Sequence, residues 1–301
     1  MTTFALAPAS ARRVAAAWLE LTKPRIVLLV VLTGVPALLL AGGGFPKPGV
    51  FWGTLIGTML AAASAASFNM YFDRDVDALM KRTATRPLPA GLLPPSAALG
   101  LGFVLAGFSW VTLLTTTNVG AALIALGSIL YYAVFYTVWL KRRTPQNIVI
   151  GGGAGASAPL IAWMAVTGTI TLPAVVLSAI VFLWTPPHFW ALSLYRREDY
   201  ERAGIPMLPV THGETETRRQ ILIYTLVLVP VTLALQPLGL ASAFYTAPAT
   251  LLGLAFIALA IRLARTHEAK HAMQLFLFSI LYLFALYLLL AADALMAALR
   301  H

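Results

Sequence analysis

The residues best placed to do chemistry stand where the second long apolar stretch runs out: Asn69, Asp73 and Asp77, four apart, with Asp75 between the last two, then Lys81, Arg82 and Arg86. On a helix the i, i+4, i+8 spacing lines the amide and two carboxylates along roughly one face and turns Asp75 elsewhere. Three acids at the end of a helix crowd a pole already negative from its unpaired carbonyls. They call for a cation. Mg²⁺ suits the place because it takes oxygen ligands, keeps some of its waters and bridges carboxylates to phosphates. The three basic residues follow within about three helical turns. As bland anchors they would only hold the loop on one side of a membrane; beside a metal they become donors to a diphosphate, with the arginine fork matching phosphate oxygens.

A second charged set, Arg196, Arg197, Glu198 and Asp199, closes a later apolar stretch. Alone it would be a solvated patch. Its place matches that of the first acidic loop, which favours a second metal or diphosphate clamp. Lys141-Arg142-Arg143 ends the fourth stretch and serves either as an orientation signal or as an extension of the cationic rim. His188, in Trp184-Thr185-Pro186-Pro187-His188-Phe189-Trp190, lies within a stretch, where a histidine hydrogen-bonds across helices or meets a polar substrate or metal centre. Tyr131, Tyr132, Tyr136, Trp139, Trp184, Trp190 and Tyr195 lie towards one set of stretch ends. An aromatic belt accounts for them, and ring faces that shield an allylic cation are the alternative. Gly151-Gly152-Gly153-Ala154-Gly155 follows no expected strand, so close helix packing explains it better than a nucleotide loop.

These groups must be positioned by helices in a bilayer. Of 301 residues, 59% are hydrophobic and 11% charged, with mean hydropathy +0.82, which excludes an ordinary soluble domain. Apolar stretches near 26–43, 50–72, 96–115, 119–139, 147–166, 172–194, 221–238, 248–264 and 273–297 are each long enough to span. The expected fold is all-α: a single polytopic domain over 1–301 with about nine transmembrane helices. Residues 1–22 form an interfacial N-terminal segment, with a short amphipathic helix over 9–22. Counted from a cytoplasmic N-terminus, 19 of 21 Lys and Arg fall on the cytoplasmic side, all but Lys47 and Arg300. This agrees with the positive-inside rule. It accounts for the net charge of +10 without a nucleic-acid surface. Ten of eleven acids, all but Asp293, share that side, so the active site and N-terminus are expected on the cytoplasmic face of the inner cell membrane. The two long charged loops, 73–95 and 195–220, each follow an even-numbered helix, suggesting two loosely repeated halves around a central cavity. Pro36, Pro159, Pro186, Pro187 and Pro230 mark kinks. With no cysteine, disulfides, cysteine-bound metals and thiol catalysis are excluded.

The motifs together resemble the UbiA superfamily of intramembrane prenyltransferases, over most of the chain, and within it the branch that modifies haem. Leu21-Thr22-Lys23-Pro24-Arg25-Ile26 is similar to the family's opening signature. Asn69, Asp73 and Asp77, with Arg82-Thr83 and Arg86-Pro87-Leu88, resemble its first aspartate motif. Tyr136-Thr137, Lys141-Arg142-Arg143-Thr144, Asn147, Pro187-His188-Phe189-Trp190, Asp199-Tyr200 and Ala203-Gly204-Ile205-Pro206-Met207-Leu208-Pro209 resemble the haem branch. Relatives acting on quinone precursors carry more acids in the second motif, where this chain has His188 and Tyr195 and keeps Asp199.

The resemblance implies transfer of a farnesyl group from farnesyl diphosphate to a vinyl group of protohaem IX, with addition of water, giving haem O. It implies Mg²⁺ on Asn69, Asp73, Asp77 and Asp199, with Asp73, Asp77 and Asp199 catalytic. Diphosphate donors would be Lys81, Arg82, Arg86, Lys141, Arg142, Arg196 and Arg197, and His188 and Trp190 would contact haem. Membrane lipid is the surrounding partner, and a haem A synthase or oxidase assembly partner is a possible neighbour. A prenyltransferase for a quinone precursor or another ring is the alternative of the same class. A transporter is the alternative of another class, disfavoured because the ionisable residues sit at one face and not at mid-membrane.

Overall fold

The computed structural model describes residues 10–266 and 268–300. Helix α1 (Ala11–Leu21) starts at Ser10, whose side chain accepts from the Arg13 N–H. It buries Ala17 and Leu21 against Met70, Leu93 and Ala98 while Trp18 and Leu19 stay exposed. The helix lies within the stretch 9–22 where a short interfacial helix is expected; residues 1–9 of the expected N-terminal segment lie outside the described residues. Then follow α2 (Pro24–Gly42), α3 (Pro48–Leu79), α4 (Pro95–Thr116) and α5 (Val119–Leu130), which continues as a π-helical segment, Tyr131–Leu140. The span expected over 147–166 is divided at Ala156 into α6 (Asn147–Gly155) and α7 (Ser157–Thr167). Helices α8 (Leu172–Tyr195), α9 (Arg197–Arg202), α10 (Leu208–Thr211), α11 (Gly213–Leu233), α12 (Ala243–Arg265) and α13 (Ala269–Ala298) complete the chain.

Among the described residues, eight helical segments are long and apolar enough to cross a membrane. Large apolar side chains such as Leu28, Trp52, Phe103, Leu123, Leu251 and Leu277 point outward all round the bundle, as a lipid solvent requires. The span expected over 221–238 falls in α11, whose first two turns carry Glu214, Glu216, Arg218 and Arg219. Only Ile221 onward is apolar, about 20 Å of helix. α11 nonetheless belongs to the bundle, packed against α8 and α12, and Tyr245 Oη donates to the Thr232 carbonyl at 3.2 Å.

From α2 onward consecutive segments are neighbours, α1 packs on α3, and α13 returns to pack on α2, which closes the bundle. The α3–α4 contact is the most intimate. A Cβ on Gly57 would lie 2.5 Å from Leu113, and one on Gly102 would lie 2.7 Å from the Phe68 ring. The absence of those atoms lets the backbones approach, and Ser64 and Ser109 then donate across the contact to the carbonyls of Gly102 and Gly57. α3 is thereby fixed in rotation, which fixes where its polar residues point. At the other end, the Ser242 N–H and hydroxyl both donate to Asp293, at 2.5 Å each. Asp293, the acid that stands apart from the other ten, is a helix-start cap.

Candidate functional site

No proline or glycine interrupts α3 between Gly57 and Leu79, so the helix runs past the apolar stretch and carries the polar row on one continuous face. Asn69, Asp73 and Asp77 are all buried, while the Asp75 side chain is 62% exposed. The expected alignment is present, and each member of the row is met by a cation from a different segment. Lys23, between α1 and α2, donates to Asn69 Oδ1 at 2.5 Å. Lys141, just after the π-helical segment, donates to Asp73 Oδ2 at 2.5 Å. Arg86, from the turn following α3, donates to Asp77 Oδ2 at 2.6 Å. The negative pole foreseen at this helix end is therefore neutralised by the chain itself.

Hydrogen bonds fix the row further. Asn69 Nδ2 donates to Asp73 Oδ2 at 2.7 Å and to Thr137 Oγ1 at 3.1 Å, and Thr83 Oγ1 donates to the Asp77 carbonyl. The two contacts to the π-helical segment, Asn69 with Thr137 and Asp73 with Lys141, share a sequence offset of 68. The two segments thus run parallel in matched register. Winding with i−5 bonds, seen from Lys141 N to the Tyr136 carbonyl, sets Thr137 and Lys141 on the face turned to α3, and Thr137 Oγ1 also donates to the Tyr132 carbonyl. The glycine run makes this packing possible: a Cβ on Gly151 would come within 2.5 Å of the Tyr136 ring, and Tyr131 Oη donates to the Ile150 carbonyl at 2.6 Å. Tyr132 and Tyr136 stack with centroids 5.3 Å apart.

The expected diphosphate donors separate into groups. Arg86 and Lys141 lie in the row. Arg142 does not: it makes a two-pronged pair with Asp75 at 2.8 Å and donates to the Phe72 carbonyl, clasping the outer side of α3. The paired Asp75 carboxylate holds its guanidinium even more firmly protonated than usual. Lys81 and Arg82 are exposed. In the second loop Asp199 is buried and bonded to Arg202 at 3.3 Å, and Arg197 reaches Glu214 at 3.4 Å. The Nε atoms of Arg196 and Arg197 are buried without a partner. No three His, Asp or Glu side chains gather in one place among the described residues, so Asp199 does not join Asp73 and Asp77 in a four-ligand set.

His188 is clamped between the Trp184 and Phe276 rings, with centroids at 4.2 and 4.6 Å, and its Nδ1 lies 2.7 Å from Ser279 Oγ. The one hydroxyl proton of Ser279 is directed at the Phe276 carbonyl. Nδ1 must then be the donor, leaving Nε2 with a lone pair. Trp190 is packed edge-on against Tyr224 in the core, and its indole Nε1 is buried without a partner.

The row fits a divalent ion by its donor chemistry. Its ligand atoms are all oxygens, and Asp73 Oδ1 is buried with no hydrogen-bond partner, an arrangement costly unless something cationic engages it. With only two carboxylates and an amide, the remaining positions would fall to water and phosphate oxygens, as Mg²⁺ prefers. Sequence reasoning finds the row but not the role of Lys23 or Thr137, since contacts across 46 and 68 residues leave no local pattern.

The fold and site define an integral-membrane helical protein with an oxygen-ligand row, ringed by cations, at one end of its bundle. The model of the UbiA prenyltransferase family matches residues 27–297, and the chain belongs to that family. A protoheme IX farnesyltransferase of Symbiobacterium thermophilum is 46% identical over 278 residues, 92% of this chain and 93% of its own. One of Gloeobacter violaceus is 49% identical over 276 residues, 91% and 90% of the two chains. Among solved structures, a digeranylgeranylglyceryl phosphate synthase superposes with TM-score 0.78 at 18% identity, covering 94% of this chain and 99% of its own. A UbiA homologue of Archaeoglobus fulgidus bound to DMAPP and Mg²⁺ gives 0.60 at 15% identity, covering 91% and 98%. At such identities these two speak for the fold alone.

Proposed function

We propose that this protein transfers the farnesyl group of farnesyl diphosphate to a vinyl group of protohaem IX, with addition of water, to make haem O. The acceptor is supported by relatives of that name at 46% and 49% identity over nine-tenths of the chain. The observation that carries the chemistry is the buried row with its unpartnered Asp73 Oδ1 and three cations within 2.6 Å of its members.

Asp73, Asp77 and the Asn69 amide oxygen would hold a Mg²⁺, which would supply charge neutralisation for the departing diphosphate and so favour its ionisation. Lys141 and Arg86 turn from their carboxylates to diphosphate oxygens, Lys81 and Arg82 line the exposed rim, and Arg196, Arg197 and Asp199 close the clamp from the second loop. The farnesyl C1–O bond breaks with its electron pair leaving on the diphosphate. A vinyl carbon then supplies the pair for the new C–C bond, and water adds to the resulting cation beside the porphyrin with loss of one proton. Stacked Tyr132 and Tyr136 shield the allylic cation with their ring faces. His188 offers its Nε2 lone pair to haem iron, a role neutral imidazole commonly fills. Trp190, in the core, is a support for that helix. The site faces the cytoplasm at the inner membrane.

Incubating purified protein with farnesyl diphosphate, Mg²⁺ and either protohaem IX or a hydroxybenzoate-type quinone precursor, and weighing both acceptors, tests the assignment. A farnesyl-plus-water gain on haem is expected. A gain on the quinone precursor alone would replace haem as the acceptor. His188→Ala is expected to weaken haem affinity, and unchanged affinity and turnover would remove His188 from the site.

A further inference from the structure

Lys23 is the one non-glycine residue with positive φ among the described residues, at φ 49° and ψ 58°. A side chain in that region is strained, and a following proline, here Pro24, disfavours helical backbone at the residue before it. Such strain persists only where the surroundings enforce it. Here the turn between α1 and α2 brings the ammonium to Asn69 Oδ1 at 2.5 Å. The Asn69 amide cannot simply flip away, because Nδ2 is committed to Asp73 and Thr137. Lys23 therefore covers the oxygen that a metal would need.

Its situation differs from that of its neighbours. Arg86 and Lys141 each face a carboxylate, whereas Lys23 faces a neutral amide and makes no ion pair. A cation in this position is the least firmly held of the three and gains most from an arriving anion. Resting on the reading of this row as a metal and diphosphate site, we propose that Lys23 gates it. Its ammonium occupies Asn69 Oδ1 until a diphosphate draws it off, so that divalent cation and diphosphate bind in concert. The row is thus closed to free metal and opens to metal arriving with the prenyl diphosphate.

The test uses full-length protein in detergent, with Mn²⁺ binding followed by electron paramagnetic resonance and metal-free inorganic pyrophosphate binding by calorimetry in chelator. Lys23→Gly keeps the turn without strain, since glycine accepts positive φ. Lys23→Gln is a second neutral variant and Lys23→Arg retains charge. Both neutral variants are expected to bind Mn²⁺ alone about tenfold tighter and pyrophosphate about tenfold weaker, within the usual range of coupling between sites. Lys23→Arg should stay near wild type in both. A fall in both affinities, or a loss of pyrophosphate affinity with Mn²⁺ unchanged, would overturn the gate while leaving the site in place. Wild-type protein that binds neither probe would instead overturn the reading of the row itself.

Discussion

Two ion pairs on α3, half a turn apart, differ in what their loss exposes. Lys141–Asp73 holds a carboxylate that is 1% exposed, whereas Arg142–Asp75 joins side chains 37% and 62% exposed. Stripping the partner from a buried charge costs about 3–5 kcal/mol, while an exposed pair contributes about 0–1 kcal/mol. Lys141→Met is therefore expected to lose about 3 kcal/mol in a reversible detergent-unfolding titration, and Arg142→Met about 1 kcal/mol or less. Equal losses would mean that Asp73 is solvated. The row itself is legible from a four-residue period that continues beyond the apolar stretch. Its cations are not, because Lys23, Arg86 and Lys141 come from three segments that only tertiary packing brings together.

At the scale of elements, the π-helical segment decides whether Thr137 and Lys141 meet the row. The span expected over 119–139 carries no charged residue, so the change of winding is invisible to hydropathy; it follows from the aromatic side chains seated on the α6 glycines. The same dependence makes those glycines unequal. A Cβ at Gly151 would collide with Tyr136, while one at Gly155 would meet nothing within 4 Å. Gly151→Ala is expected to lower turnover about tenfold or more by displacing Lys141, at the scale of a misplacement of the reacting groups. Gly155→Ala should leave turnover intact and raise stability by up to about 1 kcal/mol. Matching kinetics in the two variants would show that the segment's position is not set from α6. α11 shows the opposite limit of legibility: its charged first turns and short apolar remainder weaken its hydropathy signal, and packing between α8 and α12 places it in the bundle.

For the whole molecule, the distribution of charge sets the orientation, and the lack of cysteine allows it to be read directly. Lys47 and Arg82 are both exposed and lie at opposite ends of α3. In intact spheroplasts, Lys47→Cys should react with a membrane-impermeant thiol reagent and Arg82→Cys only after permeabilisation. The reverse pattern would place the site on the other face. The overall bundle was legible because membrane helices announce themselves by length and apolarity. The second charged loop is legible by its matching place in the chain, but its side-chain partners are not: Asp199 is bonded to Arg202 and not to the row. What the bundle presents, in the end, is one row that distinguishes inward from outward carboxylates on a single helix. Pyrophosphate release from farnesyl diphosphate with Mg²⁺ and protohaem IX, compared between Asp73→Asn and Asp75→Asn, tests that distinction most directly. Asp73→Asn is expected to lower the rate about 100-fold or more and Asp75→Asn to leave it within about threefold, the small cost of an exposed pair. Equal rates in the two variants would contradict the assignment of the row as the site of ionisation.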